Sequence, residues 1–192
     1  MLKRLFSNTI KNRAYKSLKK DIAKKRFKHE TVNFADATSV ALLLHPRNND
    51  DLNKLLGLMI ELDSKGKKVS NLVYIATKKK IEVDKAKADY PLINFITGKE
   101  INWFDKPSGK EVDSMLKKEY DLLIDLSQKE NFITTYIAAK SKARFRVGKY
   151  FERETIGYDF MIDQKSGDLD DFTKQLTHYL NIIRNEPKST KE

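Results

Sequence analysis

The sequence predicts an α/β fold in which a single doubly wound, mostly parallel sheet is preceded by a basic amphipathic N-terminal helix. Three observations predict it. Short apolar runs of strand length alternate with helical patterns along residues 39–185, as in parallel sheets whose strands are joined by helices. The 192 residues suit one domain with a sizeable core. The first 28 residues carry eleven Lys or Arg against one acid, with apolar positions at helical spacing.

The first half of the sheet is predicted as strand, helix and strand. Residues 39–45 (SVALLLH) form an apolar run that ends in polar residues, which is typical of a buried strand. The next segment has helical apolar spacing after the N-cap candidates at 48–51, and Gly66 ends it. Residues 69–77 are the second strand. The charged residues 78–89 predict either a solvated helix or a loop.

The second half continues the alternation. Strands are predicted at 92–97, 120–127, 144–150 and 158–163, with helices at 110–120, 131–143 and 168–185. This order predicts a Rossmann-like sheet with helices on both faces. The chain then divides into a basic helical arm at 1–30, a Rossmann-like α/β domain at 31–186 and a polar tail at 187–192.

Nearly all of the excess charge lies in the arm. The chain has 38 basic and 27 acidic side chains, a net charge of +11, of which residues 1–28 contribute +10. Such an asymmetry indicates a polyanionic partner, because uncompensated like charges repel one another until something neutralises them. A solvated helix face that keeps the protein soluble is the simpler interpretation.

Two apolar stripes on the arm point in different directions. The later stripe lies opposite the basic side chains and consists of Ala14, Tyr15, Leu18 and Ile22. The earlier stripe is turned by roughly half a revolution and consists of Leu2, Leu5, Phe6 and Ile10. Either the helix breaks near residues 11–12 or its two halves contact different things. We expect the later stripe to dock on the α/β domain and the first half to project toward a partner.

The candidate polyanion-binding residues are basic side chains of the arm and of one later strand. They are Lys3, Arg4, Lys11, Arg13, Lys16, Lys19, Lys20, Lys24, Lys25, Arg26, Arg144 and Arg146. The last two lie in residues 142–153 (KARFRVGKYFER), where cations alternate with aromatic rings that are able to stack on unpaired bases. A strand with both arginines outward and the apolar residues inward explains that pattern equally well.

A second candidate site lies at the carboxyl ends of the strands, where open α/β sheets bind ligands. The residues of this candidate ligand cleft are His45, Arg47, Ser127 and Gly148, accompanied by Gln128 and Lys149. His45 and Arg47 suit an anion, and the start of the following helix would assist them. The alternative is a capping turn with a solvent-facing histidine.

Several chemistries have no support in the sequence. Without cysteine, the chain has no disulfide framework, thiol nucleophile or thiolate metal site. The three histidines form no HxxxH or HExxH pair, and no glycine-rich nucleotide motif follows the first strand. Asp121 and Asp125 share a strand, where structural roles are favoured over a pair of acid–base carboxylates. We therefore expect no metal and no cofactor.

Residues 120–150 resemble part of the heptosyltransferase-type glycosyltransferases. In those enzymes a strand ending in a D-x-x-I-D-L pattern leads into a helix of small residues, then into a strand ending R-x-G. The matching residues here are Asp121, Ile124, Asp125, Leu126, Ala138, Ala139, Arg146 and Gly148. The resemblance implies an acceptor-type Rossmann-like half, without the second domain that holds most of the nucleotide-sugar.

The whole chain resembles an uncharacterised family of short bacterial proteins. Members have a basic start, an NWF-x-KP segment (here residues 102–107) and a YD-x-MID strand (here residues 158–163). This resemblance implies a Rossmann-like fold and a similar length.

The function expected from these observations is a non-catalytic RNA- or ribosome-associated protein that binds polyanions through its arm in the cytoplasm. The alternative is a peripheral membrane or cell-envelope glycosyltransferase-like domain at the inner face of the membrane. No apolar run approaches the ~20 residues of a membrane-spanning helix. The Arg- and Lys-rich start is also compatible with an organelle transit peptide. Oligomeric state is left open.

Overall fold

The fold is built on one six-stranded sheet in the order β3-β2-β1-β4-β5-β6. The computed structural model describes residues 2–23, 30–152 and 156–183, with side chains from residue 13 onward. The strands are β1 (Ser39–Leu44), β2 (Lys68–Ile75), β3 (Phe95–Thr97), β4 (Glu119–Asp125), β5 (Lys142–Lys149) and β6 (Phe160–Ile162). All neighbouring strands are parallel. The predicted Rossmann-like fold is confirmed, with the strand order reversing between β1 and β4.

Helices cover both faces of this sheet. Within the described residues they are α1 (Leu2–Ala23), α2 (Asn49–Ser64), α3 (Lys80–Asp89), α4 (Lys110–Lys117), α5 (Phe132–Lys140) and α6 (Leu169–Ile182). Asn48 starts α2 as predicted, because its side chain accepts a hydrogen bond from the Asp51 N–H. Residues 80–89 adopt the solvated-helix alternative, since α3 buries none of its side chains.

Strand β1 shows why the central strands are apolar without interruption. Val40, Leu42 and Leu44 belong to the core beneath α2 and α6. Ala41 and Leu43 belong to the core beneath α1, α4 and α5. Successive side chains of a strand point to opposite faces, and here both faces are covered, so each of these positions is buried.

Some elements are shorter than the sequence predicts. The strand expected at 92–97 begins only at Phe95, because the Ile93 N–H turns back to the Tyr90 carbonyl. The helix expected at 131–143 ends at Lys140. There the Ser141 hydroxyl donates to the Ala138 carbonyl, and Ser141 takes an extended backbone that leads directly into β5.

Helix α1 runs without a break through residues 11–12, which rules out the first of the two alternatives, a broken helix. Its later stripe docks on the domain as expected, with Ala14, Tyr15 and Leu18 buried in the second core. The Tyr15 ring meets the Phe132 ring edge-on at 4.9 Å. The side chains of the earlier stripe and the tail at 187–192 lie outside what the structure describes.

Helix α5 lies between α1 and the sheet. Seven of its nine residues are buried, and its apolar side chains are distributed all round the helix. A helix that is apolar on every side needs cover on every side. The sheet covers one side and α1 covers another, so the described part of the arm belongs to the packing of the domain.

Candidate functional site

The exposed side of α1 carries a row of cations on an anchored helix. This basic face consists of Arg13, Lys16, Lys19 and Lys20, all exposed. The opposite side is held by the buried stripe and by an ion pair of 2.9 Å between Asp21 and Lys140 of α5. The other predicted arm cations lie outside the described side chains: Lys3, Arg4, Lys11, Lys24, Lys25 and Arg26.

Beside the basic face lies a groove between α1 and the loop that follows β3. Its volume is about 410 Å³. It is lined on the helix by Arg13, Ala14 and Ser17, and on the loop by Trp103, Phe104 and Lys106. We call residues 101–107 the aromatic turn and this cavity the α1 groove.

Hydrogen bonds fix the shape of the aromatic turn. The Asn102 side-chain oxygen accepts the N–H groups of Phe104 at 2.9 Å and Lys106 at 3.0 Å. The Asn102 N–H in turn donates to the Lys106 carbonyl. Asp105 takes a φ of 56°, the left-handed conformation that aspartate tolerates in tight turns.

The two aromatic side chains of this turn are strongly exposed to solvent: Trp103 is 82% exposed and Phe104 is 65% exposed. Large aromatic side chains on a soluble surface indicate a contact site more often than an isolated exposed leucine does. Neither ring was predicted as a site residue, although their NWF-x-KP segment stood out in the sequence. An aromatic pair within a polar stretch that lacks strand or helix periodicity was the available signal.

The two arginines of β5 do not belong to the basic face. Arg146 is only 3% exposed, and its guanidinium and backbone N–H both donate to the Asp159 carboxylate. The alternative interpretation, a strand with both arginines outward, is therefore wrong for Arg146. It fails because β5 lies inside the sheet and the carboxylate of Asp159, just before β6, pairs with the Arg146 guanidinium.

Arg144 is exposed but bound at the amino edge of the sheet. It pairs with Glu30 at 2.7 Å and with Asp121 at 3.0 Å. Asp121 also accepts hydrogen bonds from Thr38 and Ser39 at the start of β1. Burial by itself would raise the pKa of Asp121, but these donors and Arg144 outweigh it and lower that pKa to about 2.

At the carboxyl edge of the sheet, where the parallel strands end, the structure brings His45 and Ser127 together. They follow β1 and β4, the two neighbouring strands between which the strand order reverses. The backbone N–H of His45 donates to the Ser127 hydroxyl at 2.9 Å, and the ring Nδ1 of His45 lies 3.0 Å from the Tyr74 carbonyl oxygen. Ser127 is buried. Both residues lie where the strand pattern predicted them, and these contacts join the ends of β1, β2 and β4.

Arg47 lies at the same edge and forms an ion pair with Asp51 in the first turn of α2. Its guanidinium donates to both carboxylate oxygens at 2.7 and 2.9 Å, and also to the Gly167 carbonyl. Burial tends to raise the pKa of Asp51, but the hydrogen bonds from Arg47 lower it overall. The arrangement matches the capping-turn alternative for Arg47.

Close packing explains why residue 148 is a glycine. A β-carbon at this position would lie 2.8 Å from a ring carbon of Tyr158. The Tyr158 hydroxyl donates to Asp125 at 2.6 Å, and the Asp125 carboxylate also accepts the Ser127 N–H. Asp121 and Asp125 therefore have separate sets of partners at opposite edges of the sheet, as expected for structural carboxylates.

Lys149 follows Gly148 and points between two amides. Its ammonium donates to the side-chain oxygens of Gln128 at 3.2 Å and Gln164 at 3.1 Å. Burial lowers its pKa, and the nearby charge of Arg47 lowers it further. Both Arg47 and Lys149 thus have hydrogen-bond partners from the chain itself.

Residues 11–183 match the profile of a family of unknown function, DUF6913. The chain belongs to DUF6913. The predicted membership of an uncharacterised family is thereby confirmed. No functionally curated protein matches this DUF6913 chain.

Among solved structures, this DUF6913 chain is similar to the E. coli heptosyltransferase WaaC with ADP. The TM-score is 0.41 and the identity 11%, over 80% of this chain and 50% of the enzyme. The chain thus spans about half the length of that enzyme.

Metal ligation and membrane crossing find no support among the described residues. No group of three or more His, Asp or Glu side chains in this part of the DUF6913 chain is arranged to hold a metal ion. Among the same residues, no helix is both long and apolar enough to cross a bilayer.

Proposed function

We propose that this chain binds RNA through the basic face of α1. The observation that carries the proposal is the anchoring of that helix. Ala14, Tyr15 and Leu18 are buried, so Arg13, Lys16, Lys19 and Lys20 are held outward on a fixed support. Cations that are already positioned lose less conformational entropy when they meet a phosphate backbone.

The distribution of charge supports the same proposal. Residues 1–28 supply +10 of the +11 net charge, so the excess positive charge is concentrated in the part of the sequence that contains α1. Phosphate neutralisation by such a surface releases counterions, which makes binding depend steeply on salt. An extended phosphate backbone fits a row of cations along one helix better than a compact anion does.

The carboxyl edge favours structural roles for its cations. Arg47 holds Asp51 and the Gly167 carbonyl, and Lys149 holds two amide oxygens. A ligand anion would have to break these bonds, at a cost of roughly 1–3 kcal/mol for each buried group left unpaired. The side chains of the basic face, by contrast, are exposed to solvent.

The buried stripe also bears on the membrane alternative. A helix that lies on a bilayer inserts its apolar face among the lipids. Along residues 14–18 that face is already packed against α5 and the second core. Lipid binding through this half of α1 would need the helix to leave the domain.

Charge reversal on the basic face tests the proposal. Lys16→Glu, Lys19→Glu and Lys20→Glu together should weaken RNA binding and flatten its salt dependence, by about 0.7–0.9 in log–log slope for each phosphate that is no longer neutralised. Fluorescence anisotropy of the full chain with labelled RNA, over a range of salt concentrations, measures both quantities.

The matched control reverses three exposed lysines of α3, Lys80, Lys85 and Lys87, and lowers the net charge equally. Binding through the basic face predicts a much smaller loss of affinity for this variant. Equal losses would instead indicate attraction to the overall charge. A wild-type chain that ignores RNA at low salt yet sediments with anionic vesicles would replace the RNA proposal with the membrane one.

A further inference from the structure

We infer that the α1 groove is a base-stacking site and that the RNA bound there is single-stranded. This inference rests on the proposed function and specifies the form of RNA. Phosphate attraction to the basic face has no preference for paired or unpaired strands. The aromatic turn adds groups that distinguish them.

The two rings of the turn have the properties of a stacking platform. Trp103 and Phe104 are mostly exposed, and backbone hydrogen bonds to Asn102 hold the turn that carries them. A ring on a fixed turn loses little freedom when a base stacks on it. Single-strand-binding proteins combine such rings with a positive groove that follows the phosphate backbone.

Cations flank these rings on both walls of the groove. Arg13 lines the helix wall and belongs to the basic face, while Lys106 lines the loop wall. A strand whose phosphates follow α1 would therefore bring its bases to Trp103 and Phe104. The groove volume of about 410 Å³ lies within the range of small-ligand pockets, ~300–1,000 Å³, and gives room for a nucleotide.

Double-stranded RNA fits this arrangement poorly. In an A-form helix the bases are stacked on one another, and side chains do not reach into its deep, narrow major groove. Unpaired bases present free faces to an aromatic ring. Stacking on Trp103 and Phe104 therefore stabilises single strands selectively, without reading a particular sequence.

The chain contains its own reporter, because Trp103 is its only tryptophan. Stacking of a base on the indole should quench the intrinsic tryptophan fluorescence of this chain. Titration with a short oligouridylate and with a blunt RNA duplex of equal length should show quenching mainly by the single strand. Adding salt should reverse it, because the same complex depends on phosphate contacts.

Removal of the rings measures the preference itself. Trp103→Ala combined with Phe104→Ala should lower affinity for the labelled single strand by about 10-fold or more and bring it near that for the duplex. Trp103→Phe should retain most of the preference. The control Ile81→Ala removes a similarly exposed apolar side chain from α3 and should leave both affinities unchanged.

The outcomes separate this inference from the proposed function. Equal affinity of the wild type for both RNAs, unchanged in the double-alanine variant, would overturn stacking and leave RNA binding through the basic face intact. No binding of either RNA at low salt would overturn both. Quenching or a blue shift with anionic vesicles, and none with oligouridylate, would assign the rings to a lipid surface.

Discussion

The basic face of α1 and the carboxyl edge of the sheet both carry cations, but they use them differently. At the carboxyl edge, Arg47 and Lys149 turn inward to oxygens of their own chain. On α1, the cations lie on the side of the helix that the core does not use. The number of basic residues in a segment therefore says less about binding than the direction in which the supporting element holds them.

A similar contrast separates the arginines of β5 from the aromatic turn. Arg144 and Arg146 are two residues apart on β5, and both pair with carboxylates that hold strands in place. Trp103 and Phe104, by contrast, lie on a turn whose hydrogen bonds involve only its backbone and Asn102. The aromatic side chains are left available because the turn does not need them for its structure.

Substitution of Leu18 should have the largest effect on stability. Leu18 is 2% exposed in the second core, so Leu18→Ala should cost about 2–5 kcal/mol in the free energy of unfolding. Urea denaturation of the full chain measures it. Lys16→Ala, on the exposed side of the same helix, should change that free energy by less than ~0.5 kcal/mol. An unchanged midpoint for Leu18→Ala would make residues 1–30 a separable arm after all.

Gly148→Ala should be next in size and tests whether the carboxyl edge is built for packing. The added methyl group meets the Tyr158 ring at 2.8 Å, so overpacking should cost about 1–3 kcal/mol. In a Tyr158→Ala background the same substitution should cost little, which a double-mutant cycle resolves. If the full cost persists without the ring, the close packing on Tyr158 is not the reason for this glycine.

Asp121→Asn should have the smallest effect, about 1 kcal/mol, because the carboxylate is partly exposed and its charge is screened. The folded state lowers the pKa of Asp121 from 3.8 to about 2. The contribution of the Asp121 carboxylate to the free energy of unfolding is therefore complete above pH ~4 and is lost as the pH falls through about 2.

Denaturation curves collected at successive pH values should show a weaker acid dependence for Asp121→Asn than for wild type. The exposed Asp84 of α3 gives the matched control, Asp84→Asn. An identical acid dependence in wild type and Asp121→Asn would show that the hydrogen bonds at the amino edge add no net stability.

The parts of the fold that follow from local periodicity were predictable. The apolar run of β1 and the docking stripe of α1 both appear directly in the spacing of their side chains. The burial of Arg146 was not predictable, because its partner Asp159 is 13 residues away on another segment. Periodicity also does not predict whether the Trp103 side chain is buried or exposed, because this residue lies in neither a strand nor a helix.

The strand order predicts where the residues of the candidate cleft lie, but not what they contact, and ligand binding there stays a prediction. Strand order places His45, Ser127 and Gly148 at the carboxyl edge, and the structure confirms that placement. The sequence did not reveal that Tyr158 fills the space beside Gly148 or that Arg47 forms an ion pair with Asp51. Such contacts depend on which loops return to the edge, and loop paths leave no periodic signal.

The position of α1 over α5 has a consequence for how the protein is made. The hydrogen bond from Tyr15 to Glu130 joins residues 115 positions apart, and α1 leaves the ribosome before the sheet and the other helices of this fold. At about 5–20 residues per second, synthesis of the intervening chain takes on the order of ten seconds. Throughout that interval the apolar stripe of α1 lacks α5, on which it packs in the native fold, so its docking on α5 is a late, high-contact-order step in folding.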